Sequence, residues 1–255
     1  MTILETTGLC KYFGGLKAVD NIDMKVKKGQ IFGIIGPNGA GKSTFFNVCT
    51  GSVPATSGQV KFMNEDITNM APEQVAARGM ARTFQNIKLF NNMTVLDNVK
   101  IGFHMNSRVG VLDALLHTKR YHEDERICRE KGMEILESVG LADIWNVQAG
   151  NLSYGTQRRL EIARMLAMKP QILLLDEPAA GMNPNETMQL LEFVKELNAR
   201  GDTIVVIEHD MKFMMNLCDH IMVVQYGKKI FEGAPEEVKS NPRVIEAYLG
   251  SQTAI

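Results

Sequence analysis

Residues 36–43 read Gly36-Pro-Asn-Gly-Ala-Gly-Lys-Ser43, and this octapeptide decides the fold. It matches the pattern Gly-x-x-x-x-Gly-Lys-Ser/Thr, in which glycines let the backbone curl until successive N–H groups point at one centre. The apolar stretch Gln30–Ile35 precedes it and the helix-compatible stretch Thr44–Thr50 follows. A strand, a glycine-rich turn and a helix start are the context in which such a loop cradles phosphates, with the helix N-terminus behind them. Lys42 would place its charge on the β- and γ-phosphates, and Ser43 would offer a hydroxyl to Mg²⁺. Gly36, Pro37, Asn38, Gly39, Ala40, Gly41, Lys42, Ser43 and Thr44 are therefore read as nucleotide-binding. A glycine-rich turn that binds nothing is the plainer alternative, and the intact flanks argue against it.

Further along, Ile172-Leu-Leu-Leu-Asp176-Glu177 is a second buried strand, ending in two carboxylates. Carboxylates at the C-terminal end of a strand in an open α/β sheet stand where ligands sit. Asp176 would hold Mg²⁺, and Glu177 would polarise the water that attacks the γ-phosphate. Other short apolar runs, Thr203–Ile207 and Ile221–Val224, read as strands of the same mainly parallel sheet. The segment from Pro184 to Arg200 reads as a helix, with Asn183 as its cap, Glu186 closing a capping box and Gly201 stopping it. Val19–Val26, ahead of the loop, alternates apolar and polar residues with some slippage, and Gly58–Met63, beyond it, resembles another strand after a turn. These predict an antiparallel β layer. Between residues 86 and 151 the spacing turns helical, with Ile135, Leu136 and Val139 in step, which predicts an inserted helical sub-domain.

The fold class expected is thus α/β: a P-loop NTPase core with a mainly parallel sheet, an N-terminal antiparallel β layer and an inserted helical sub-domain. The core would comprise residues 1–85 and 160–255, and the insertion 86–159. A chain of 255 residues with 45% hydrophobic and 22% charged residues is long enough for one such domain. Its formal net charge of -1 argues against non-specific nucleic-acid binding. The four cysteines, Cys10, Cys49, Cys128 and Cys218, form no Cys-x-x-Cys pair, so neither a zinc site nor a redox motif is expected. No signal peptide is read at the N-terminus and no apolar run reaches bilayer length, so work at a membrane would need a partner.

P-loops serve kinases, GTPases, helicases and transport ATPases alike. The stretch Leu152-Ser153-Tyr154-Gly155-Thr156-Gln157-Arg158-Arg159 separates them, because it resembles the signature sequence of ABC ATPases and lies between the P-loop and the Asp-Glu strand. The resemblance covers nearly the whole chain. It is nearest to the ATPase subunits of branched-chain amino-acid importers, of the larger paralogous type. Phe13-Gly-Gly-Leu-Lys-Ala-Val, Arg82-Thr-Phe-Gln-Asn, Asn92-Met-Thr-Val-Leu-Asp-Asn-Val and Glu177-Pro-Ala-Ala-Gly-Met-Asn-Pro carry it. Tyr154 and Thr156 depart from the usual signature, and Asn183 stands where many members have an aspartate.

The resemblance implies roles residue by residue. Ser153 and Gly155 would meet the γ-phosphate of ATP bound by the opposite subunit. Gln85 would sense Mg²⁺ and γ-phosphate and join Ser43 and Asp176 around the metal. His209 would contact the γ-phosphate, acting with Glu177, Gln85 and Lys42 in catalysis. Phe13 would stack on adenine, with Tyr12 as the alternative. The resemblance also implies ATP and Mg²⁺ as cofactors and a place on the cytoplasmic face of the cell membrane. Its partners would be permease subunits, a second ABC ATPase as homodimer or heterodimer, and an external binding protein indirectly. A urea or amide importer, a lipopolysaccharide exporter and a soluble ABC ATPase stay open as alternatives.

Overall fold

The computed structural model describes residues 1–103, 113, 116 and 118–249. Two compact units arise, Met1–Gln85 with Gln171–Ile255, and Asn86–Pro170. The sequence reading closed the helical insertion at residue 159, and the structure moves that boundary. The helix Tyr154–Ala167 runs unbroken past residue 159, its later residues Leu160, Ala163 and Ala167 are buried, and it packs on the helix Val95–Phe103 of the same unit.

The first unit holds two sheets. The antiparallel one has strands β1 (Thr2–Phe13), β2 (Leu16–Lys27), β4 (Ser57–Phe62) and β5 (Glu65–Asp66) in the order β2-β1-β4-β5. Along β2 the residues Val19, Ile22, Met24 and Val26 are buried while Lys25 and Lys27 face out, the period-2 pattern of a half-covered strand. The slippage between Val19 and Ile22 is a real irregularity: the register against β1 shifts there, and Asn21 adopts φ 57. One kind of bulge places an extra residue in the left-handed conformation, and Asn tolerates it.

The larger sheet runs β10-β9-β3-β8-β7-β6, with β3 (Ile31–Ile35), β6 (Met80–Arg82), β7 (Ile172–Asp176), β8 (Ile204–Ile207), β9 (His220–Gln225) and β10 (Lys228–Gly233). All neighbours are parallel except the β9–β10 hairpin at one edge. β3, β7 and β8 are buried at every residue, so their sequences read as continuous apolar runs. The helix Lys42–Cys49 contributes Phe45, Phe46 and Val48 to one core shared with Leu4 and Leu9 of β1, Val19 and Ile22 of β2, and Phe32 and Ile34 of β3. This shared core fixes the phosphate loop between the two sheets.

In the second unit the helices Val95–Phe103, Lys119–Ser138 and Tyr154–Ala167 pack on one another. Leu96, Val99, Leu136 and Leu160 are buried. Gly102 permits a close helix crossing, since a Cβ there would lie 2.3 Å from the Arg164 carbonyl oxygen. Along the first half of Lys119–Ser138, Arg126 pairs with Glu123 and Glu130 on the surface.

Candidate functional site

The phosphate loop leaves the end of β3 and turns into the helix Lys42–Cys49. Gly41 caps that helix at φ 101, and a Cβ there would stand 2.1 Å from the Ala18 carbonyl oxygen, so only glycine fits. No side chain caps the helix and no acidic residue occupies its first turn. Its N-terminal N–H groups are thus left for an anion. Ala40 and Gly227 fasten the loop sideways, the Gly227 N–H donating to Ala40 O at 2.9 Å. A cavity of about 370 Å³ is lined by Asn38–Thr44 together with Leu16, Lys17, Glu177 and Tyr226. Its size is in the range that holds a small-molecule ligand of roughly 300–1,000 Å³.

Lys42 is only 6% exposed, and its Nζ donates to Gly36 O at 2.7 Å and Pro37 O at 3.1 Å. Burial draws its pKa below the ordinary lysine value, while Glu177, Glu208 and Asp176 pull the other way. Ser43 lies exposed beside it. Asp176, at the last position of β7, is buried and accepts from Arg82 Nη2 at 2.7 Å. Glu177 follows at φ 44, an uncommon conformation for a residue with a side chain. Its N–H donates to Ile207 O at 2.9 Å, and its Oε2 accepts from Gln85 Nε2 at 3.1 Å.

The strand β8 delivers Glu208 and His209. Glu208 is 1% exposed, and its two oxygens accept from the N–H groups of Ala179 at 2.8 Å and His209 at 3.1 Å. Burial raises the Glu208 pKa above the carboxylate range, with the hydrogen bonds from Ala179 and His209 opposing. The His209 ring is exposed, with Nδ1 at 3.5 Å from Glu208 Oε2. On the antiparallel sheet, Phe13 is exposed under Lys11, whereas the Tyr12 hydroxyl donates to Asp20 Oδ1 at 2.7 Å.

In the second unit, Ser153 caps the helix Tyr154–Ala167, its Oγ accepting from the Thr156 N–H at 3.4 Å. Gly155 sits in the first turn of that helix. One turn deeper, Arg158 donates to Glu161 Oε2 at 2.7 Å, both fully buried. Asn183 does cap Pro184–Ala199: Oδ1 accepts from Asn185 and Glu186 N–H, and Glu186 Oε2 accepts from the Asn183 N–H, a complete capping box.

Lys42, Ser43, Asp176, Glu177 and Gln85 thus gather at the C-terminal ends of parallel strands, around one phosphate loop. A model of the family described as "ABC transporter" matches residues 19–180. The chain belongs to the ABC transporter family. A second model, "Branched-chain amino acid ATP-binding cassette transporter", matches residues 228–254. The chain is 43% identical over 249 residues to the high-affinity branched-chain amino acid transport ATP-binding protein BraF of Pseudomonas aeruginosa, spanning 97% of this chain and 98% of that one. The crystal structure of an ABC-transporter cassette in its ADP conformation superposes with TM-score 0.86 at 39% identity, covering 98% of this chain and 99% of the other. A dimeric cassette in a post-hydrolysis state, bound to ADP and Pi, matches at TM-score 0.75 and 25% identity over 91% of this chain and 99% of that one.

Within this ABC cassette, several polar residues escaped the sequence reading. Arg82, Asn47 and Thr50 form a hydrogen-bonded cluster beside Asp176, and Glu208 braces the backbone at Ala179 and His209. For Arg82 a signal was present, since it opens the quoted stretch that contains Gln85. For Glu208 the only clue was a carboxylate directly ahead of the candidate histidine.

Proposed function

We propose that the chain is the ATP-hydrolysing subunit of an importer for branched-chain amino acids, held peripherally on the cytoplasmic face of the membrane by permease subunits. The observation that carries the nucleotide half of this reading is the meeting of Lys42, Glu177 and the loop Asn38–Thr44 around one cavity. The substrate half is supported by the 43% identity to a branched-chain amino acid transport protein and by the family match over residues 228–254.

In this reading the loop residues Gly36 to Thr44 wrap the phosphates, Lys42 neutralises the β- and γ-phosphates, and Phe13 stacks on adenine. Ser43, Asp176 and Gln85 would hold Mg²⁺. Their hydroxyl, carboxylate and amide oxygens are the hard donors that Mg²⁺ selects, and phosphate and water oxygens would supply its remaining ligands. The ion supplies charge neutralisation between the phosphates. Glu177 orients the attacking water, and His209 donates to the γ-phosphate. Catalysis is then mostly positioning and electrostatics.

Ser153 and Gly155 open a helix in the other unit and would meet the ATP held by a second cassette. The likeness to a dimeric cassette supports a head-to-tail pair, homodimeric or with a paralogue. Two half-sites that close on each other form an isologous interface with ATP inside it. A mixture of a Lys42→Ala chain and a Ser153→Arg chain tests this. Each is expected to be inactive alone, and together they rebuild one complete site. Full activity from a strictly monomeric form across dilution would overturn the shared site. For the substrate, the complex purified in detergent with its membrane subunits is expected to hydrolyse ATP faster with binding protein loaded with leucine, isoleucine or valine. Stimulation by urea alone would reassign the importer.

A further inference from the structure

Arg82 closes strand β6 and pairs alongside Leu174 of β7, which brings its guanidinium to the base of the Asp176 carboxylate. Nη2 donates to Asp176 Oδ2 at 2.7 Å, while Nη1 donates to Asn47 Oδ1 at 2.7 Å and to Thr50 Oγ1 at 3.2 Å. Both Asn47 and Thr50 belong to the end of the helix that starts at Lys42. The guanidinium also lies 5.5 Å from the Phe46 ring and 5.7 Å from the Phe84 ring. One arginine therefore ties together the phosphate-loop helix, the acidic end of β7 and the strand that runs on to Gln85.

As a device for stability this arrangement is poor. The two side chains are 10% and 6% exposed, so both charges are desolvated, and the Arg82 Nε is buried without a hydrogen-bond partner. A buried ion pair rarely outperforms apolar residues of the same volume, and an orphaned donor adds a cost. What the arrangement does supply is geometry. Asp176 offers two oxygens, and Arg82 engages Oδ2 from a planar fork fixed at its other prong. The Asp176 N–H is held as well, donating to Thr83 Oγ1 at 3.0 Å. The carboxylate plane is thereby set, with Oδ1 on its far edge.

We infer that Arg82 is the positioning residue for Mg²⁺ at this site, orienting Asp176 so that Oδ1 serves the metal. The inference rests on the reading of Asp176 as a metal ligand. Groups behind a ligand fix its orientation, and losing one typically costs about 10–100-fold in metal affinity. Lysine is no substitute, because its single nitrogen lacks the planar fork whose two prongs hold Asp176 apart from Asn47 and Thr50.

The probe is Mn²⁺ in place of Mg²⁺, followed by electron paramagnetic resonance on the full chain with ATP. Arg82→Gln and Arg82→Lys are both expected to weaken Mn²⁺ binding about tenfold or more. ATP affinity measured in EDTA should stay within about twofold, because the phosphate loop is untouched. A general loss of structure would move both quantities, so the split is the signature of positioning. Unchanged or tighter Mn²⁺ binding in either folded variant overturns the inference, as does an equal loss of metal-free ATP binding. Asp176→Ala separates this from the underlying reading: if it binds Mn²⁺ like the parent, Asp176 is no ligand and the reading itself fails. Should the Arg82 variants not fold, Asn47→Ala decides, since it removes one anchor of the fork. Weaker Mn²⁺ binding is expected there, and parental affinity overturns the inference.

Discussion

Gln85 and Glu177, 92 positions apart in the chain, are joined by a hydrogen bond of 3.1 Å from Nε2 to Oε2. Adjacent parallel strands make this possible: Gln85 follows β6 and Glu177 follows β7, so both emerge at the C-terminal end of the sheet. An uncharged amide holds one oxygen of the carboxylate and leaves the other free to accept a proton from water. Glu177→Gln keeps the shape and removes the acceptor charge. ATP binding is expected to persist while steady-state hydrolysis falls by about two orders of magnitude or more. Near-parental turnover would contradict the role given to Glu177.

Lys42→Ala strips a charge-assisted contact to phosphate, the kind worth about 1.5–3 kcal/mol, so ATP affinity should fall roughly tenfold or more. Equilibrium titration of the unmodified and substituted chains is the measurement. An unchanged affinity would remove Lys42 from the phosphate site.

Phe13 and Tyr12 differ in availability. The Tyr12 hydroxyl is committed to Asp20, whereas the Phe13 ring is 49% exposed. Phe13→Ala is expected to cost about 1 kcal/mol of ATP binding, the scale of one aromatic stacking contact. Tyr12→Ala should cost less in binding, because the Tyr12 side chain is tied to Asp20. The opposite order would assign the adenine to Tyr12.

Arg158 and Glu161 make a fully buried pair within the helix that Ser153 opens. Removing one partner leaves an uncompensated charge, which typically costs about 3–5 kcal/mol, while replacing both by apolar residues is often neutral. Arg158→Met should therefore sharply lower the unfolding midpoint, and adding Glu161→Leu should restore much of it. Additive losses in the double variant would show that the pair is not the unit that matters.

Glu208 makes stability depend on pH. Its folded pKa lies above the ordinary 4.5 because burial penalises the anion. The folded state then holds its proton more tightly than the unfolded chain, so this residue's contribution falls as pH rises from 4.5 through the raised value. Glu208→Gln should flatten that decline in denaturant midpoints measured between about pH 4 and 8. An unaltered slope would mean that burial does not burden this carboxylate.

Much of this was legible in the residues. The strand ahead of the loop Gly36–Ser43 and the strand Ile172–Asp176 were legible because fully buried parallel strands are written as unbroken apolar runs. The strands β6 and β10 were not read. Met80–Arg82 has three residues, too few to show a period, and β10 is a mixed-polarity edge paired only to β9. The insertion's far boundary was misplaced because the signature stretch begins a helix whose apolar face continues past it. That Arg82, Asn47, Thr50 and Asp176 form one polar cluster was not legible, since only the tertiary fold brings those positions together.

The two carbonyl contacts of Lys42 bear on which anions the cell can seat in this loop. Its ammonium already has partners in Gly36 O and Pro37 O. A newcomer must therefore outbid two fixed dipoles, so capture of a phosphate chain is an exchange of ligands at nitrogen. A phosphate chain seated there would trade carbonyl dipoles at the ammonium for charged oxygens, while the backbone N–H groups of the helix start would hold its remaining oxygens.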